Sequence, residues 1–368
     1  MNLFCIALGL HYLCTIISNE FNLKTITIMP QLHPAKTDIA VLLLFFNRPS
    51  TFKLVFEEVK KARPSRLFLY QDGPRGEKDM AGIEACRKIV EDIDWECDVR
   101  KNFQTRNYGC DPSGYMAHKW AFSLADKCIV LEDDVVPSQS FFPFCKEMLD
   151  RYENDERITM VAGFNTDEVT ADVPYSYFFT SVFSIWGWAS WRRVIDKWDG
   201  DYTFLNDDFN RTQLAHLAKE RGLRDDFMQM CYNHKANGKQ YFESIFWSTM
   251  LMNNGLAIMP TVNQINNVGA TADSTHYGEL LTMPKALRRI FTMARLEITF
   301  PLKHPKYVME YVDYKHRLYR RNAWGHPWVK IARSFEELFY NLRQANFAYI
   351  WKMLTRRIRK LMGIEKHK

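Results

Sequence analysis

Short apolar runs, each cut off by turn-forming or charged residues, alternate with longer amphipathic stretches from Asp38 onward. Residues 38–47 (DIAVLLLFFN) are continuously apolar, the pattern of a parallel strand buried on both faces. After Arg48-Pro49-Ser50 the spacing predicts a helix through Lys61, capped by Ser50 or Thr51. Residues 65–71 read as a second strand ending in the turn Asp72-Gly73-Pro74, residues 78–93 as a charged helix, and residues 96–102 as a third strand. Arg106-Asn107-Tyr108-Gly109 is a turn, and a helix from Pro112 or Ser113 to Asp126 leads into residues 127–137 (KCIVLEDDVVP). Residues 138–152 predict an amphipathic helix and residues 158–163 a further buried strand. Strands alternating with helices predict an α/β chain on a doubly wound, mostly parallel central sheet flanked by helices.

The second half is less regular. Residues 175–191 (YSYFFTSVFSIWGWASW) crowd aromatics around Gly187; such rings fill cores, and they also make the walls on which sugar faces stack. Residues 192–239 are polar and charged, with helical segments such as 211–222. Residues 243–252 predict a helix stopped by Asn253-Asn254-Gly255, and residues 256–259 a strand stopped at Pro260. The polar loop 263–276 (NQINNVGATADSTH) follows a core strand directly, which makes it a candidate part of a site. Residues 335–364 mix Leu, Phe, Tyr, Ile and Trp351 with Arg356, Arg357, Arg359 and Lys360. That pattern fits a basic amphipathic helix on a membrane surface or partner, or one packed on the body with a solvated basic face.

The chemistry concentrates where the run 128–131 stops on Glu132, Asp133 and Asp134. Ligands of open α/β sheets bind at the carboxyl ends of strands. Adjacent carboxylates repel one another, and a hard divalent ion already carrying phosphate oxygens satisfies them. A metal–diphosphate site is therefore favoured over a solvated acidic turn. Asp72, ending another strand of the same sheet, is placed to accept a hydrogen bond from a base or ribose. The first strand lacks a G-x-G-x-x-G turn, which disfavours a dinucleotide oxidoreductase.

Composition adds a globular class, with 47% hydrophobic and 25% charged residues in 368. The net charge of +6 conceals a division: residues 285–368 carry 20 Lys and Arg against 6 Asp and Glu, a balance of +14 that leaves −8 for the first 284. An acidic body with a basic end points to an anionic surface as partner for that end, and no nucleic acid is expected. The eight cysteines form no C-x-x-C pair, which argues against a zinc site or a disulfide scaffold and for a reducing compartment. The apolar start of the chain has no Lys or Arg before it, is interrupted by His11 and Tyr12, and is short for a membrane span; residues 1–28, ahead of Met29, read either as an over-extended translation start or as a loose extension.

LEDDVVPSQSFF, preceded by RNYGC and followed by SIWGWASW, resembles the GT-A fold glycosyltransferases, in particular the inverting N-acetylglucosaminyltransferase-I-like enzymes and bacterial family-2-like sugar transferases. The resemblance runs from about residue 38 to residue 276 and more weakly into FPLKHP at 300–305. It implies that Glu132, Asp133 and Asp134 are the acidic metal motif, with Asp134 a direct ligand of Mn²⁺ or Mg²⁺. It places Asn47, Arg48 and Asp72 against the nucleoside, and Arg106 and Asn107 near the donor phosphates or ribose. Similar bacterial sequences carry Trp-Asp shortly before Asn-Asn-Gly; here Phe242-Glu243 stands there, so Glu243 is the candidate base despite the Asp-to-Glu departure, with Asp226 the second choice. His276 matches a late histidine that often completes the metal shell of this fold.

The resemblance implies an inverting, metal-dependent enzyme that moves a sugar from a nucleotide-diphosphate donor, a UDP-sugar by expectation, to a hydroxyl of a glycan or lipid-linked acceptor in surface polysaccharide or glycoconjugate synthesis. The expected layout is an N-terminal extension (1–34), a GT-A domain (35–284) and a basic helical region (285–368) in contact with anionic membrane, in a cytoplasmic protein peripheral to the membrane face. A sugar-phosphate nucleotidyltransferase is the first alternative, but it would carry a glycine-rich loop where Asn47-Arg48-Pro49-Ser50 stands. A non-catalytic carbohydrate-binding GT-A-like protein is the second, supported only by Glu243 in place of Asp.

Overall fold

The strand with the longest apolar run sits at the centre of one half of the sheet. In the computed structural model, which describes residues 32–220, 222–269 and 282–361, β1 (Thr37–Phe45) keeps Ala40, Val41, Leu42 and Leu43 entirely out of solvent, because β2 (Pro64–Gln71) and β4 (Lys127–Glu132) pair with it on either side. Between β1 and β2 lies α1 (Pro49–Ala62), which opens on a proline whose fixed φ suits a first turn. Its Phe52, Val55, Phe56 and Val59 recur at helical spacing and are buried against the sheet, Phe52 stacked on Phe45 at 4.3 Å. Next come α2 (Met80–Ile89), β3 (Asp98–Phe103) and α3 (Cys110–Leu124), then β4, β5 (Val135–Pro137), α4 (Phe141–Arg151), β6 (Ile158–Ala162), β7 (Tyr177–Thr180) and β8 (Trp188–Trp191).

The eight-stranded sheet has the order β3-β2-β1-β4-β8-β6-β9-β7, with β9 at Leu256–Pro260. Strands β1 to β4 are mutually parallel, and β6 runs parallel to β9. This is the mostly parallel, helix-flanked α/β sheet expected of the GT-A architecture. Two strands depart from a simple doubly wound order: β8 runs antiparallel between β4 and β6, and β7 antiparallel to β9. Both come from the aromatic stretch and are buried throughout, and burial on both faces leaves a strand's direction unreadable in its hydropathy. A separate two-stranded ribbon joins β5 to β10 (Ile265–Asn267).

Helices α5 (Asp208–Leu217), α6 (Leu223–Asn237) and α7 (Phe242–Met252) precede β9. α5 starts before the predicted residue 211 because Asp207 caps it, accepting a hydrogen bond from the Asn210 N–H at 2.7 Å. Beyond residue 284 the described chain continues within the same compact unit that begins at Pro34. The Leu296 N–H donates to the Asn263 carbonyl at 2.7 Å, and Tyr314 of α8 (Val312–Asn322) is buried against Phe178 of β7. The single helix expected over 335–364 is instead a hairpin, α9 (Pro327–Arg343) and α10 (Phe347–Leu361). The break falls at Ala345, with φ 51°, where the Asn346 N–H turns back to the Asn341 carbonyl at 2.9 Å. The segment expected as an N-terminal extension lies, up to residue 31, outside the described residues. No described helix is long and apolar enough to cross a membrane.

Gly187, in the centre of the aromatic stretch, adopts φ +62°, and a Cβ there would lie 2.4 Å from Cδ1 of Ile265 on β10. Its carbonyl also receives the Gly163 N–H at 2.8 Å. Gly187→Ala therefore meets both left-handed strain and a clash with the ribbon, and should lower unfolding stability by about 2 kcal/mol or more, read as a reduced urea midpoint at unchanged slope.

Candidate active site

Strand register brings the chemistry to one edge. Leu44 pairs with Glu132 and Phe45 with Gln71, so the segments leaving β1, β2 and β4 emerge side by side. Arg48, from the first of them, bonds through its guanidinium to Asp133 and, at 2.9 Å, to Asp134 Oδ2. Asp133 is only 4% exposed and also accepts the Phe46 N–H at 3.1 Å. Burial drives its pKa up against the opposing charge of Arg48. Burial disfavours the Arg48 cation too, yet Asp133 and Asp134 outweigh it and hold the guanidinium above its ordinary pKa. The turn is pinned from β10: the Val268 N–H donates to the Asp134 carbonyl at 2.8 Å. Gly269 follows, where a Cβ would stand 2.1 Å from Asp134 Oδ2, so a larger residue there would have to displace that carboxylate. Asp134 Oδ1 is buried and has no hydrogen-bond partner among the described residues.

A second group of acids adjoins this edge. Burial first, then the Asp134, Asp133 and Glu243 carboxylates, push Glu132 up to about 8, with Arg48 opposing. Glu243 lies in the first turn of α7, where burial and the neighbouring Asp111 push it up to about 7 and Asp111 hydrogen-bonds with it. Its side chain lines a cavity of about 330 Å³ whose walls include Phe183, Trp186, Trp247 and Trp324. On the chain just before α7, the ring of Tyr241 stacks on His234 at 3.7 Å, and His234 Nδ1 lies 2.8 Å from Ser244 Oγ. Burial lowers the His234 pKa while the Asp111 charge acts the other way.

Asp72 is embedded in the edge. Its Oδ1 accepts the N–H groups of Gly73 and Tyr108, and its Oδ2 accepts the Gly109 N–H and Asn107 Nδ2, all at 2.8–3.0 Å. Both oxygens are thus engaged in shaping the loop after β3, and the hydrogen bond expected from a base or ribose finds them already taken. Asn107 donates a second bond, to the Gly73 carbonyl at 2.9 Å. The exposed Arg106 lies over the Tyr108 ring at 4.6 Å. Asn47 donates to Asp79 at 2.7 Å, and Asp79 is held down to about 2 by hydrogen bonds from Arg75.

The structure therefore brings Asn47, Arg48, Asp72, Arg106, Asn107, Glu132, Asp133 and Asp134 to the carboxyl ends of adjacent parallel strands, with Glu243 close enough to act on Glu132. It sets Asp226 elsewhere, exposed on the wall of a separate cavity of about 710 Å³ beside α9 and α10. His276 lies outside the described residues. Among the described residues no group of three or more His, Cys, Asp and Glu side chains is arranged to hold a metal ion. The unpartnered Asp134 Oδ1 is nevertheless the kind of acceptor a hard cation takes. Asp111 and His234 escape the sequence reading; the acid in the first turn of α3 was the available signal for Asp111.

No protein-family model and no curated protein matches the chain. Among solved structures, the apo form of mouse xyloside xylosyltransferase 1 aligns with a TM-score of 0.30 at 10% identity, over 59% of this chain and 82% of that one. Inositol-1-phosphate CTP transferase from T. maritima aligns at 0.35 and 9%, over 70% and 96%. The 4-diphosphocytidyl-2C-methyl-D-erythritol synthase of Anaerococcus prevotii aligns at 0.27 and 8%, over 46% and 78%. Likenesses this low decide neither activity nor architecture, and the architecture rests on the strand order itself.

Because Glu132 titrates near 8 when folded and near the ordinary carboxylate value when unfolded, the folded state holds the extra proton between those limits. Its contribution to stability is complete below about pH 4.5 and is lost as the pH rises through about 8. Glu132→Gln should flatten that decline, so that its melting temperature in EDTA overtakes that of the wild type toward alkaline pH. Parallel pH profiles for the two proteins would contradict the assignment. Asp72→Ala, which strips the loop after β3 of its acceptors, should cost about 2–3 kcal/mol in the same assay.

Proposed function

We propose that this chain is an inverting, metal-dependent glycosyltransferase that moves a sugar from a nucleotide-diphosphate donor, a UDP-sugar, to a hydroxyl of a glycan or lipid-linked acceptor in surface polysaccharide or glycoconjugate synthesis. The observation that carries this reading is the position of Glu243. A carboxylate with a pKa of about 7 adjoins the strand-end carboxylate edge and also lines a cavity walled by Trp186, Trp247 and Trp324. Aromatic walls offer faces for a sugar ring, and a base with a pKa near neutrality is matched to taking a hydroxyl proton.

In this mechanism Glu243 accepts the acceptor hydroxyl's proton as that oxygen attacks the anomeric carbon. The bond from carbon to the diphosphate oxygen breaks on the opposite face, its electron pair leaves with the nucleoside diphosphate, and the anomeric centre inverts. Asp111 raises the basicity of Glu243, which is uncharged below about pH 7. Mn²⁺ or Mg²⁺, held by Asp134 and His276, would supply positive charge against the leaving diphosphate. Arg48 keeps Asp133 and Asp134 in place, and its positive charge, on a side chain that is partly exposed at this edge, would attract a donor phosphate. Asp72 and Asn107 fix the loop that carries Arg106 along the same edge. Pro49 opens α1 directly after Arg48, leaving no glycine-rich loop of the nucleotidyltransferase kind.

Glu243→Gln should lower metal-dependent sugar transfer by about a hundredfold or more while leaving the thermal shift produced by UDP and Mn²⁺ unchanged. In the wild type, log kcat/KM should climb with unit slope and level off near pH 7, where the base is deprotonated. Transfer by Glu243→Gln at the wild-type rate would remove Glu243 from this role, and pyrophosphate release from a nucleoside triphosphate would replace the reading with nucleotidyl transfer.

A further inference from the structure

The helical hairpin at the end of the chain leaves an unusual amount of aromatic surface in water. On α9, Trp328 is 80% exposed, and Ile331, Phe335, Phe339 and Leu342 are exposed with it. At helical periodicity these five positions fall within an arc of about 80°. On α10, Phe347, Trp351 (71% exposed), Leu354 and Ile358 form a second stripe, about 60° wide by the same periodicity. The opposite side of α9 is the packed one: Asn341 is buried, and Arg333 donates to the Arg321 carbonyl at 2.8 Å. The two stripes border one groove of about 710 Å³, in which Ile331, Phe335 and Leu338 of α9 approach Ile350, Met353 and Leu354 of α10. Its far wall is the start of α6, with Asp225 and Asp226. Ile331 and Phe335 of the first stripe and Leu354 of the second thus meet at this groove, and the remaining members of both stripes are exposed to water.

Isolated exposed side chains need no explanation, but aligned aromatic stripes on adjacent helices mark a contact surface. The charge of the hairpin selects among occupants. From Pro327 to Leu361 the sequence carries eight Lys and Arg against two Glu, and Lys352, Arg356, Arg357, Arg359 and Lys360 all fall on α10. A second copy would bring the same positive charge to the contact. An anionic surface would be attracted, and tryptophan and phenylalanine flanked by lysine and arginine are the composition of helices that lie in a bilayer interface. Helices of 17 and 15 residues are too short to span a bilayer but suffice to lie in its plane.

We propose that α9 and α10 form an in-plane docking surface for an anionic lipid bilayer, their apolar stripes entering the boundary between headgroups and acyl chains while the basic residues meet the headgroup charge. This assignment rests on the hairpin alone and not on the chemistry assigned to Glu243. The test is flotation of the full-length protein with vesicles of phosphatidylcholine alone and of phosphatidylcholine containing about one third phosphatidylglycerol, at low and high salt. Binding should be about tenfold or more tighter to the anionic vesicles and should weaken with salt. Exchanging Trp328, Phe335 and Trp351 together for serine should cut it by a similar factor while circular dichroism and the melting temperature stay unchanged. Arg343→Glu with Lys352→Glu gives a second, surface-only variant, which should lose the preference for anionic lipid. Absence of flotation, binding indifferent to the aromatic exchanges, or a stable dimer in solution that the serine variant dissolves would each overturn the proposal.

Discussion

Two carboxylates side by side at a buried strand end need a cation, and here the chain supplies Arg48. Asp133 is pushed toward the neutral acid by burial with the guanidinium opposing, and the guanidinium itself is held above its ordinary pKa against the same burial because two carboxylates face it. The arrangement depends on strand order. Arg48 leaves β1 three residues after its last core position, Asp133 leaves β4, and the register between Leu44 and Glu132 sets the two exits next to each other. Any fold that separated β1 from β4 would strand the acidic turn without its counter-ion.

From that constraint the rest of the edge follows outward. The ribbon of β5 and β10 holds the far side of the acidic turn, with Gly269 closing on the Asp134 carboxylate. Gly187 in turn makes room for Ile265 of the same ribbon, so the aromatic stretch supports the acidic turn indirectly, through packing. On the other flank Asp72 satisfies three donors of the loop after β3, from Asn107, Tyr108 and Gly109, together with the N–H of its own neighbour Gly73. A buried carboxylate that accepts several backbone N–H groups is a structural clamp, and it gives the exposed Arg106 a fixed base. The edge thus combines a rigid frame with a few groups left open, Asp134 Oδ1 among them.

Much of this was legible in the sequence, for identifiable reasons. β1 and β4 are parallel strands covered on both faces, and such strands write themselves as unbroken apolar runs; the carboxylates that end β4 stand out by contrast. The opposite directions of β7 and β8 were not legible, because full burial erases the alternation that reports facing. Asp72 could be placed at a strand end, but not the use of its oxygens, which depends on a loop more than thirty residues away. Asp111 matters only because the first turns of α3 and α7 meet, a contact that no local pattern encodes. The hairpin break at Ala345 is likewise silent: the alanine is a good helix former, and the turn is made by the Asn341 and Asn346 bonds around it.

Glu243 shows how opposing local effects set a pKa. At the start of a helix its carboxylate faces a backbone N–H and the positive end of the helix dipole, both of which favour the charged form. Burial beside the aromatic cavity disfavours that form, and Asp111 adds repulsion and a hydrogen bond. Had the helix terminus prevailed, the group would be a permanently charged acid residue with little affinity for a hydroxyl proton. Had burial acted unopposed, it would stay protonated and be unable to accept one. The balance near 7 lies between these limits, and it is reached only because α7 delivers its first turn to a place where apolar walls and a second acid coincide. An aspartate at the same position would stand one methylene further back along the helix, so the glutamate's longer reach belongs to the geometry that puts the carboxylate in the cavity.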